Sequence, residues 1–284
     1  MSHPISHPDV RTSPQRLTGV SSTLLIPLAA RAFGDALFPS LALKDAVALP
    51  ALHRIGEDVG PYLKDKPSVY GVMARTRVFR QLAEQFFERY PEALGASLGC
   101  GLSSYFQWLD RDSNQWIDAD VSQVMAARRR VLPRPGKRHR QVEVDLTQNG
   151  WWKRLGLPAR GSGSPVLLIC EGVLMYFDPG QVDHFLYEFG QNAPEGSELI
   201  CDALSWLAVG SASLHPSVGH TSAEFKWGPK GPASFTAAHP RICVKSEHSV
   251  MDGYDMATSL VCASFRALWG VPYYGITRLG VRPD

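Results

Sequence analysis

Hydrophobic positions follow a helical spacing before residue 90 and form short apolar runs after it. Within residues 68–90, apolar side chains recur at intervals of three and four, which predicts an amphipathic helix. They are Phe79, Leu82, Ala83, Phe86, Phe87 and Tyr90. An earlier helix is predicted over residues 23–38, followed by an irregular, proline-containing stretch as far as Pro67.

From residue 94 onward, short strands and helices are predicted to alternate. The strand candidates are residues 94–98, 115–119, 141–144, 166–170 and 198–202. The helix candidates between them are residues 103–109, 121–132, 150–155 and 179–192. The fourth strand candidate is apolar throughout, as expected of a central parallel strand that is covered on both faces. This alternation predicts an α/β fold with a doubly wound sheet and right-handed crossovers.

Residues 205–240 interrupt the alternation with glycines, prolines, three histidines and several aromatic residues. A long insertion of this kind is typical of a binding lid or a disordered loop, and the aromatic content favours a lid. A strand at 242–245, a helix at 254–269 and an extended run at 273–281 follow. We expect a disordered N-terminal arm (1–20) and a single domain (21–284), with a helical cap (21–90) and a lid insertion (205–240).

Composition narrows the class of protein without identifying it. A hydrophobic share of 44%, a charged share of 20% and a net charge of +2 are ordinary for a globular protein. We expect no nucleic-acid partner, since basic residues do not interleave with aromatics, and no membrane span, since apolar runs are short. The five cysteines and nine histidines lack metal-ligand spacing. This pattern favours reduced, buried thiols in a cytoplasmic protein without a metal.

The main candidate for chemistry is the turn Gly99-Cys100-Gly101 after the first predicted strand. Asp120 closes the next strand, nineteen residues beyond Gly101. Small residues let a ligand approach the backbone, and a carboxylate on the neighbouring strand suits two ribose hydroxyls. The pattern therefore predicts a nucleoside cofactor. The third glycine of a dinucleotide fingerprint is absent, which favours a nucleoside without phosphates over a nicotinamide dinucleotide.

Three further charged residues belong to the same hypothesis. Asp145 and Glu171 follow later strands, and the carboxyl ends of parallel strands meet at one edge of a sheet. Arg75 lies on the apolar face of the 68–90 helix, where a buried guanidinium needs an anionic partner. That partner is either an internal carboxylate or the carboxylate of a cofactor that carries an amino acid.

These segments resemble, in order, those of the leucine carboxyl methyltransferases, including the bacterial tetracenomycin-type polyketide O-methyltransferases. The resemblance covers residues 22–189 and is carried by Arg75, residues 98–102, residues 116–121, Asp145-Leu146 and residues 171–176. It implies a class I S-adenosylmethionine-dependent methyltransferase fold, which is Rossmann-like with seven strands and an antiparallel C-terminal strand. It also implies a small-molecule acceptor and S-adenosylhomocysteine as the product of the cofactor.

The resemblance implies a contact between the cofactor and each matching residue. Arg75 would bind the methionine carboxylate, and Glu171 would face the amino group. The backbone of Gly99, Cys100 and Gly101 would pass beneath the methionine. Asp120 would hold the ribose, and Asp145 and Leu146 would frame the adenine. One departure concerns the turn itself. The family usually has Asp-Thr-Arg where this chain has Ser103-Ser104-Tyr105, which bears on how the turn is braced and on activity.

We therefore expect an O-methyltransferase acting on a carboxylate or hydroxyl group of a small molecule. A carboxylate is already ionised at neutral pH and needs no general base. A hydroxyl group needs one, for which His215 and His220 are the first candidates. Arg31 is either an anchor for an anionic substrate or a surface residue, and Trp206, Phe225 and Trp227 are candidates for the acceptor pocket. The alternatives are an NAD(P)-dependent oxidoreductase and an inactive cofactor-binding homologue.

Overall fold

A seven-stranded mixed sheet forms the centre of the computed structural model, which describes residues 23–215, 218–221 and 223–283. The strands are β1 (Leu94–Leu98), β2 (Gln115–Asp120), β3 (His139–Glu143), β4 (Val166–Cys170), β5 (Glu198–Leu204), β6 (Ile242–Ser249) and β7 (Tyr274–Val281). Their order is β3-β2-β1-β4-β5-β7-β6. The first five strands are parallel, and β7 runs antiparallel between β5 and β6. This confirms the predicted doubly wound sheet with an antiparallel C-terminal strand.

Helices precede the sheet and connect its strands. They are α1 (Leu25–Leu37), α2 (Ala48–Ile55), α3 (Gly60–Lys64), α4 (Lys66–Arg89), α5 (Phe106–Leu109), α6 (Ser122–Val131), α7 (Trp151–Arg154), α8 (Pro179–Asn192), α9 (Ala233–Thr236) and α10 (Met256–Trp269). Helix α1 packs against α2, α3 and α4. The first four helices therefore form one layer that reaches the carboxyl edge of the sheet through α4.

Apolar side chains cover both faces of the sheet. On one face, Leu168 and Cys170 of β4 pack in a cluster with Phe185 of α8. On the other face, Leu167 and Ile169 pack with the apolar face of α4. Every residue of β4 is buried, which confirms the prediction that this apolar run is a central strand.

Helix α4 begins where its sequence supplies a cap. The side chain of Asp65 accepts a hydrogen bond from the backbone N–H of Ser68, and Pro67 occupies the first turn, where its missing N–H costs nothing. The predicted apolar residues face the sheet, with Phe79 and Phe86 fully buried. Because Arg75 lies on the same side, its guanidinium is carried to the carboxyl edge of the sheet.

The prediction of an irregular stretch between residues 39 and 67 is wrong in part, because this stretch contains α2 and α3. In α2, Ala48, Ala51, Leu52 and Ile55 are buried at helical spacing. Pro50 lies in the first turn, where proline is tolerated, and Gly56 ends the helix with a φ of 71°. The prolines therefore mark the starts of short helices here rather than their absence.

Other predicted boundaries also differ from the structure. Helix α5 begins at Phe106 instead of residue 103, because residues 99–103 form a hydrogen-bonded turn. Strand β6 extends to Ser249, beyond the predicted residue 245, and has a register shift between Val244 and Ser246. Within 205–240, the described residues form three short 3₁₀ turns and α9. The predicted disordered arm, residues 1–20, lies outside the described residues.

Across the part of the chain that the structure describes, no helix is long and apolar enough to cross a membrane. Cys100, Cys170, Cys201 and Cys262 are buried and Cys243 is half-buried, and all five are free thiols, in line with the expected reduced state.

A buried ion pair connects β2, α6 and the turn after β1. Arg128 donates to the carboxylate of Asp118, and each side chain is 1–2% exposed. Arg128 also donates to the carbonyl oxygens of Gly101, at 3.0 Å, and Ser103. Burial opposes ionisation of Asp118, but Arg128 and His139 outweigh it and hold the pKa of this carboxyl below its ordinary value. Asp118 is therefore a buried anion whose ionised state depends on the positive charge of Arg128.

We expect Arg128→Met to destabilise the protein by about 3–5 kcal/mol, because the carboxylate of Asp118 would stay buried without its main cation. Arg129→Met is the matched control, since the neighbouring Arg129–Glu143 pair is nearly half exposed and its loss should cost about 1 kcal/mol or less. Urea unfolding monitored by circular dichroism measures both. Equal destabilisation by the two substitutions would contradict this account of Asp118.

Candidate functional site

A cavity of about 600 Å³ lies at the carboxyl edge of the sheet, where α1, α4 and the 205–240 insertion meet it. This volume is in the range of small-molecule sites. Of the residues predicted to bind a cofactor, Arg75, Gly99, Cys100, Gly101 and Glu171 line the cavity. The structure therefore brings together residues from three distant parts of the sequence.

The turn after β1 has the backbone conformation that its glycines permit. Gly99 has a φ of 65° and Gly101 a φ of 51°, both in the left-handed region that favours glycine. A side chain at Gly99 would also collide with Val173. The N–H of Gly101 donates to Oδ2 of Asp120 at 2.8 Å, which fastens the turn to the end of β2.

Asp120 lies beside this turn but does not line the cavity. Its Oδ1 accepts a hydrogen bond from the N–H of Val121 at 2.8 Å, so each carboxylate oxygen has one backbone donor. Burial raises the pKa of Asp120, although both backbone donors act in the opposite direction. Each oxygen keeps further capacity to accept a hydrogen bond.

Asp145 and Leu146 follow β3, next to the end of β2, and also lie outside the lining of this cavity. Oδ1 of Asp145 accepts hydrogen bonds from the N–H of Thr147 at 2.9 Å and from its hydroxyl group at 2.6 Å. The hydrogen bond from the Thr147 side chain is the main cause that lowers the pKa of Asp145. Leu146 is buried in the core. The carboxylate of Asp145 thus shapes its own loop.

Arg75 forms a cluster of hydrogen bonds and ion pairs at the cavity wall. Its Nε donates to Oε1 of Glu171 at 2.7 Å, and its Nη1 contacts Oδ2 of Asp202 at 3.3 Å and the hydroxyl group of Tyr274 at 2.7 Å. The internal ion pair considered from the sequence is therefore present. Nη2 has no hydrogen bond to any described residue and lies next to Gly172. The other interpretation, that Arg75 binds the carboxylate of a cofactor, therefore stays a prediction.

Glu171 accepts two further hydrogen bonds, from the hydroxyl groups of Thr76 at 3.0 Å and Tyr105 at 2.6 Å. Burial opposes its ionisation, but Arg75, Tyr105 and Thr76 together lower the pKa of Glu171. Glu171 is thus a buried carboxylate that is held ionised at the cavity wall.

Sequence reasoning missed four residues of this cluster: Thr76, Tyr105, Asp202 and Tyr274. A signal existed for Asp202, since the predicted fifth strand ended on this acidic residue and Asp120 and Glu171 directly follow two other predicted strands. No sequence pattern marked Tyr274, because only the antiparallel pairing of β7 with β5 brings it to the site.

The remaining candidates take different positions. Arg31 is not a surface residue, because it is buried and donates to Asp45 at 3.0 Å and to the carbonyl oxygen of Leu102 at 2.8 Å. It lines the cavity, and its role as an anchor for an anionic substrate stays a prediction. Phe225 lines the cavity, whereas Trp227 packs in the core and Trp206 lies apart, with Lys230 over its ring.

His215 lines the cavity, and its Nδ1 accepts a hydrogen bond from the N–H of Val218 at 3.2 Å. Burial lowers the pKa of His215, although the charge of Asp65 acts in the opposite direction. The side chain of His220 lies outside what the structure describes.

The strand order, the antiparallel seventh strand and the glycine turn beside Asp120 are the features expected of the class I S-adenosylmethionine-dependent methyltransferase fold. The family model for leucine carboxyl methyltransferase matches residues 33–189, which is more than half of the chain. The chain belongs to the leucine carboxyl methyltransferase family.

Two relatives are named as methyltransferases, and one solved structure shares the fold. The tetracenomycin polyketide synthesis O-methyltransferase TcmP of Streptomyces glaucescens is 30% identical over 239 residues, covering 84% of this chain and 85% of the relative. The S-adenosyl-L-methionine-dependent methyltransferase dpfgK of Gibberella zeae is 31% identical over 180 residues, or 58% of this chain and 59% of the relative. A putative methyltransferase from Thermobifida fusca shares the fold, with a TM-score of 0.53 and 12% identity over 98% of this chain and all of the other.

We expect Gly99→Ala to destabilise the protein by at least about 1 kcal/mol, since a left-handed alanine is strained and its Cβ would meet Val173. Gly136→Ala is the control, because this exposed glycine has open space around it and its substitution should stay within about 0.5 kcal/mol. Chemical unfolding measures both variants. Adding Val173→Ala to Gly99→Ala should restore part of the lost stability, because it removes the side chain that the new Cβ meets. If stability is not restored, the contact with Val173 is not a cause of the destabilisation.

Proposed function

We propose that this chain is an S-adenosylmethionine-dependent O-methyltransferase that methylates a carboxylate of a small molecule, such as a polyketide-type secondary metabolite. One observation carries the proposal. A single cavity contains the Gly99 turn and the Arg75–Glu171 pair as well as apolar side chains of α1, α4 and the 205–240 insertion. A cofactor and an apolar acceptor can therefore meet in one enclosure, with α1–α4 as the cap and the insertion as the lid.

The residues at one end of the cavity fit the methionine part of the cofactor. Nη2 of Arg75 offers donors for the methionine carboxylate, and the carboxylate of Glu171 offers an acceptor for the ammonium group. The backbone at Gly99 approaches without a Cβ in the way. In this role, Cys100 and Gly101 continue the floor beneath the methionine.

The next strand ends fit the adenosine part. Asp120 has acceptor capacity on both oxygens for the two ribose hydroxyls, and its hydrogen bond to Gly101 holds it in position. Asp145 would lie near the exocyclic amine of the adenine and Leu146 against its ring, a role that requires both to lie beside Asp120. The backbone hydrogen bond from Val144 to Asp120, at 2.9 Å, provides that proximity.

The bound cofactor supplies an electrophilic methyl group on a sulfonium. The chain itself contributes alignment of the acceptor oxygen and exclusion of water, which in favourable cases lower a barrier by about 7–11 kcal/mol. The apolar wall formed by Leu207, Val218 and Phe225 is suited to both tasks.

His215 supports a carboxylate acceptor over a hydroxyl group. Since Nδ1 accepts the N–H of Val218, the neutral ring holds its proton on Nε2, and neither nitrogen is then placed to take a proton from a hydroxyl group. Burial favours the neutral ring because it lowers the pKa of His215. An ionised carboxylate accepts a hydrogen bond and needs no base.

The name of the relative TcmP, which describes an O-methyltransferase of polyketide synthesis, supports a polyketide-type acceptor. Family membership also favours S-adenosylmethionine over the nicotinamide cofactor of the oxidoreductase alternative.

The proposal is tested with methyl-labelled cofactor and paired aromatic acceptors, one bearing a carboxylate and the other a hydroxymethyl group at the same position. We expect label in the carboxylate product, and mild alkali should release it because it is a methyl ester. Alkali-stable label would instead indicate an ether and a hydroxyl acceptor. Binding of S-adenosylhomocysteine without transfer to any acceptor would favour an inactive homologue, and heat of binding with NAD alone would favour the oxidoreductase.

We expect Asp120→Ala to weaken binding of S-adenosylhomocysteine more than tenfold, because hydrogen bonds to a charged group each contribute about 1.5–3 kcal/mol. Isothermal titration calorimetry measures the affinity, and an unfolding curve verifies that the variant is folded. Asp112→Ala is the control, since that side chain is fully exposed. Unchanged affinity of Asp120→Ala would refute the proposed role of Asp120.

We expect the turnover of a carboxylate acceptor to be independent of pH between about 5 and 8, a range that extends below the ordinary pKa of histidine because burial lowers the pKa of His215. His215→Ala should then cost less than the factor of about 10²–10⁴ that loss of a general base produces. Steady-state rates across this pH range measure both effects, with the exposed His53→Ala as the control. A rate that rises with pH in the parent and becomes flat in His215→Ala would show that His215 acts as a base.

A further inference from the structure

We propose that Tyr105 is a positioning residue that holds the carboxylate of Glu171 towards the cofactor's amino group. The inference rests on the proposed function, because it requires the cavity to bind S-adenosylmethionine. Tyr105 belongs to the segment Ser103-Ser104-Tyr105, where this chain departs from the resemblance described above, so its role also explains how this segment is compatible with cofactor binding.

The geometry of Tyr105 suits a fixed donor. Its hydroxyl group donates to Oε2 of Glu171 at 2.6 Å, while Arg75 binds the other oxygen at 2.7 Å. The ring is 1% exposed and packs edge-on against Trp108, with the ring centroids 5.7 Å apart. Since a packed aromatic ring has little rotational freedom, its hydroxyl group fixes the plane of the carboxylate.

Because the hydroxyl group of Tyr105 is neutral, it orients Glu171 without changing the net charge of the cluster. Arg75 contributes one positive charge to the cluster, and Glu171 and Asp202 contribute two negative charges, which leaves one net negative charge. S-adenosylmethionine carries an ammonium, a sulfonium and a carboxylate, and therefore one net positive charge. A second arginine would neutralise the cluster, whereas the tyrosine orients Glu171 and leaves its charge available.

Charged and titratable groups of four other elements or turns face Glu171. They are Arg75 on α4, Tyr105 in the turn before α5, Arg31 on α1 and Asp202 on β5, while Tyr274 on β7 contacts Arg75 and Asp202. Of these, Tyr105 donates a hydrogen bond to Glu171 without adding a charge. Its removal should therefore raise the pKa of Glu171 and leave the other groups in place.

The test is Tyr105→Phe, which removes one hydroxyl group and keeps the ring. We expect binding of S-adenosylhomocysteine to weaken about tenfold at pH 7, the change expected for one hydrogen bond to a charged group. We also expect affinity to be lost at a higher pH on acidification, because Glu171 would protonate more easily. Calorimetry from pH 8 down to about pH 4 measures both quantities, since the pKa of Glu171 in the parent lies below the ordinary value for a glutamate.

Tyr70→Phe is the matched control. Tyr70 is also a buried tyrosine with one hydrogen bond, to the carbonyl oxygen of Asp252 at 3.1 Å, but it does not line the cavity. Its variant should change neither the affinity nor the pH at which affinity is lost. If Tyr105→Phe matches Tyr70→Phe in both measurements, the inference is overturned.

Glu171→Gln completes a double-mutant cycle. If Tyr105 acts through the charge of Glu171, Tyr105→Phe should have less than a third of its effect on affinity in the Glu171→Gln background. Equal effects in both backgrounds would overturn the inference. A parent protein that binds no S-adenosylhomocysteine would overturn the proposed function and this inference together, whereas a binding parent with a silent Tyr105→Phe would overturn the inference alone.

Discussion

The buried ion pair between Arg75 and Glu171 is the interaction on which the geometry of the cavity depends. It connects α4 to the end of β4, and the contacts of the same guanidinium with Asp202 and Tyr274 extend the connection to β5 and β7. A buried arginine without such partners would be very unfavourable, so α4 can pack here only when these strand ends are in register. The constraint that shapes the wall of the cavity is thus also a constraint on the fold.

The glycine turn is held by a different set of cations. Arg128 donates to the carbonyl oxygens of Gly101 and Ser103, and Arg31 donates to that of Leu102. Three consecutive carbonyl groups therefore have arginine donors, although the acid and arginine usual in the family at 103–105 are absent. The turn is braced from α6 and α1 instead of from its own sequence, which argues against loss of structure at this departure.

The parts of the fold that the sequence predicted well are those governed by local pattern. β1 and β4 begin and end at the predicted residues, because apolar runs stop at glycines or polar residues there. The short helices α2 and α3 escaped prediction, since their prolines obscured a brief apolar spacing. Asp120 and Glu171 stood out as acids at strand ends. Tyr274 could not be found, because an antiparallel pairing across 72 residues brings it to Asp202.

The charges that line the cavity bear on how an acceptor would be held. Both arginines in the lining are already paired, Arg31 with Asp45 and Arg75 with Glu171 and Asp202. A carboxylate acceptor would therefore gain little from a long-range positive field. Its position would depend on apolar contacts with the insertion and on hydrogen bonds at close range. Recognition by shape is consistent with a reaction in which the protein aligns two reactants and removes water, since neither task requires a charged anchor.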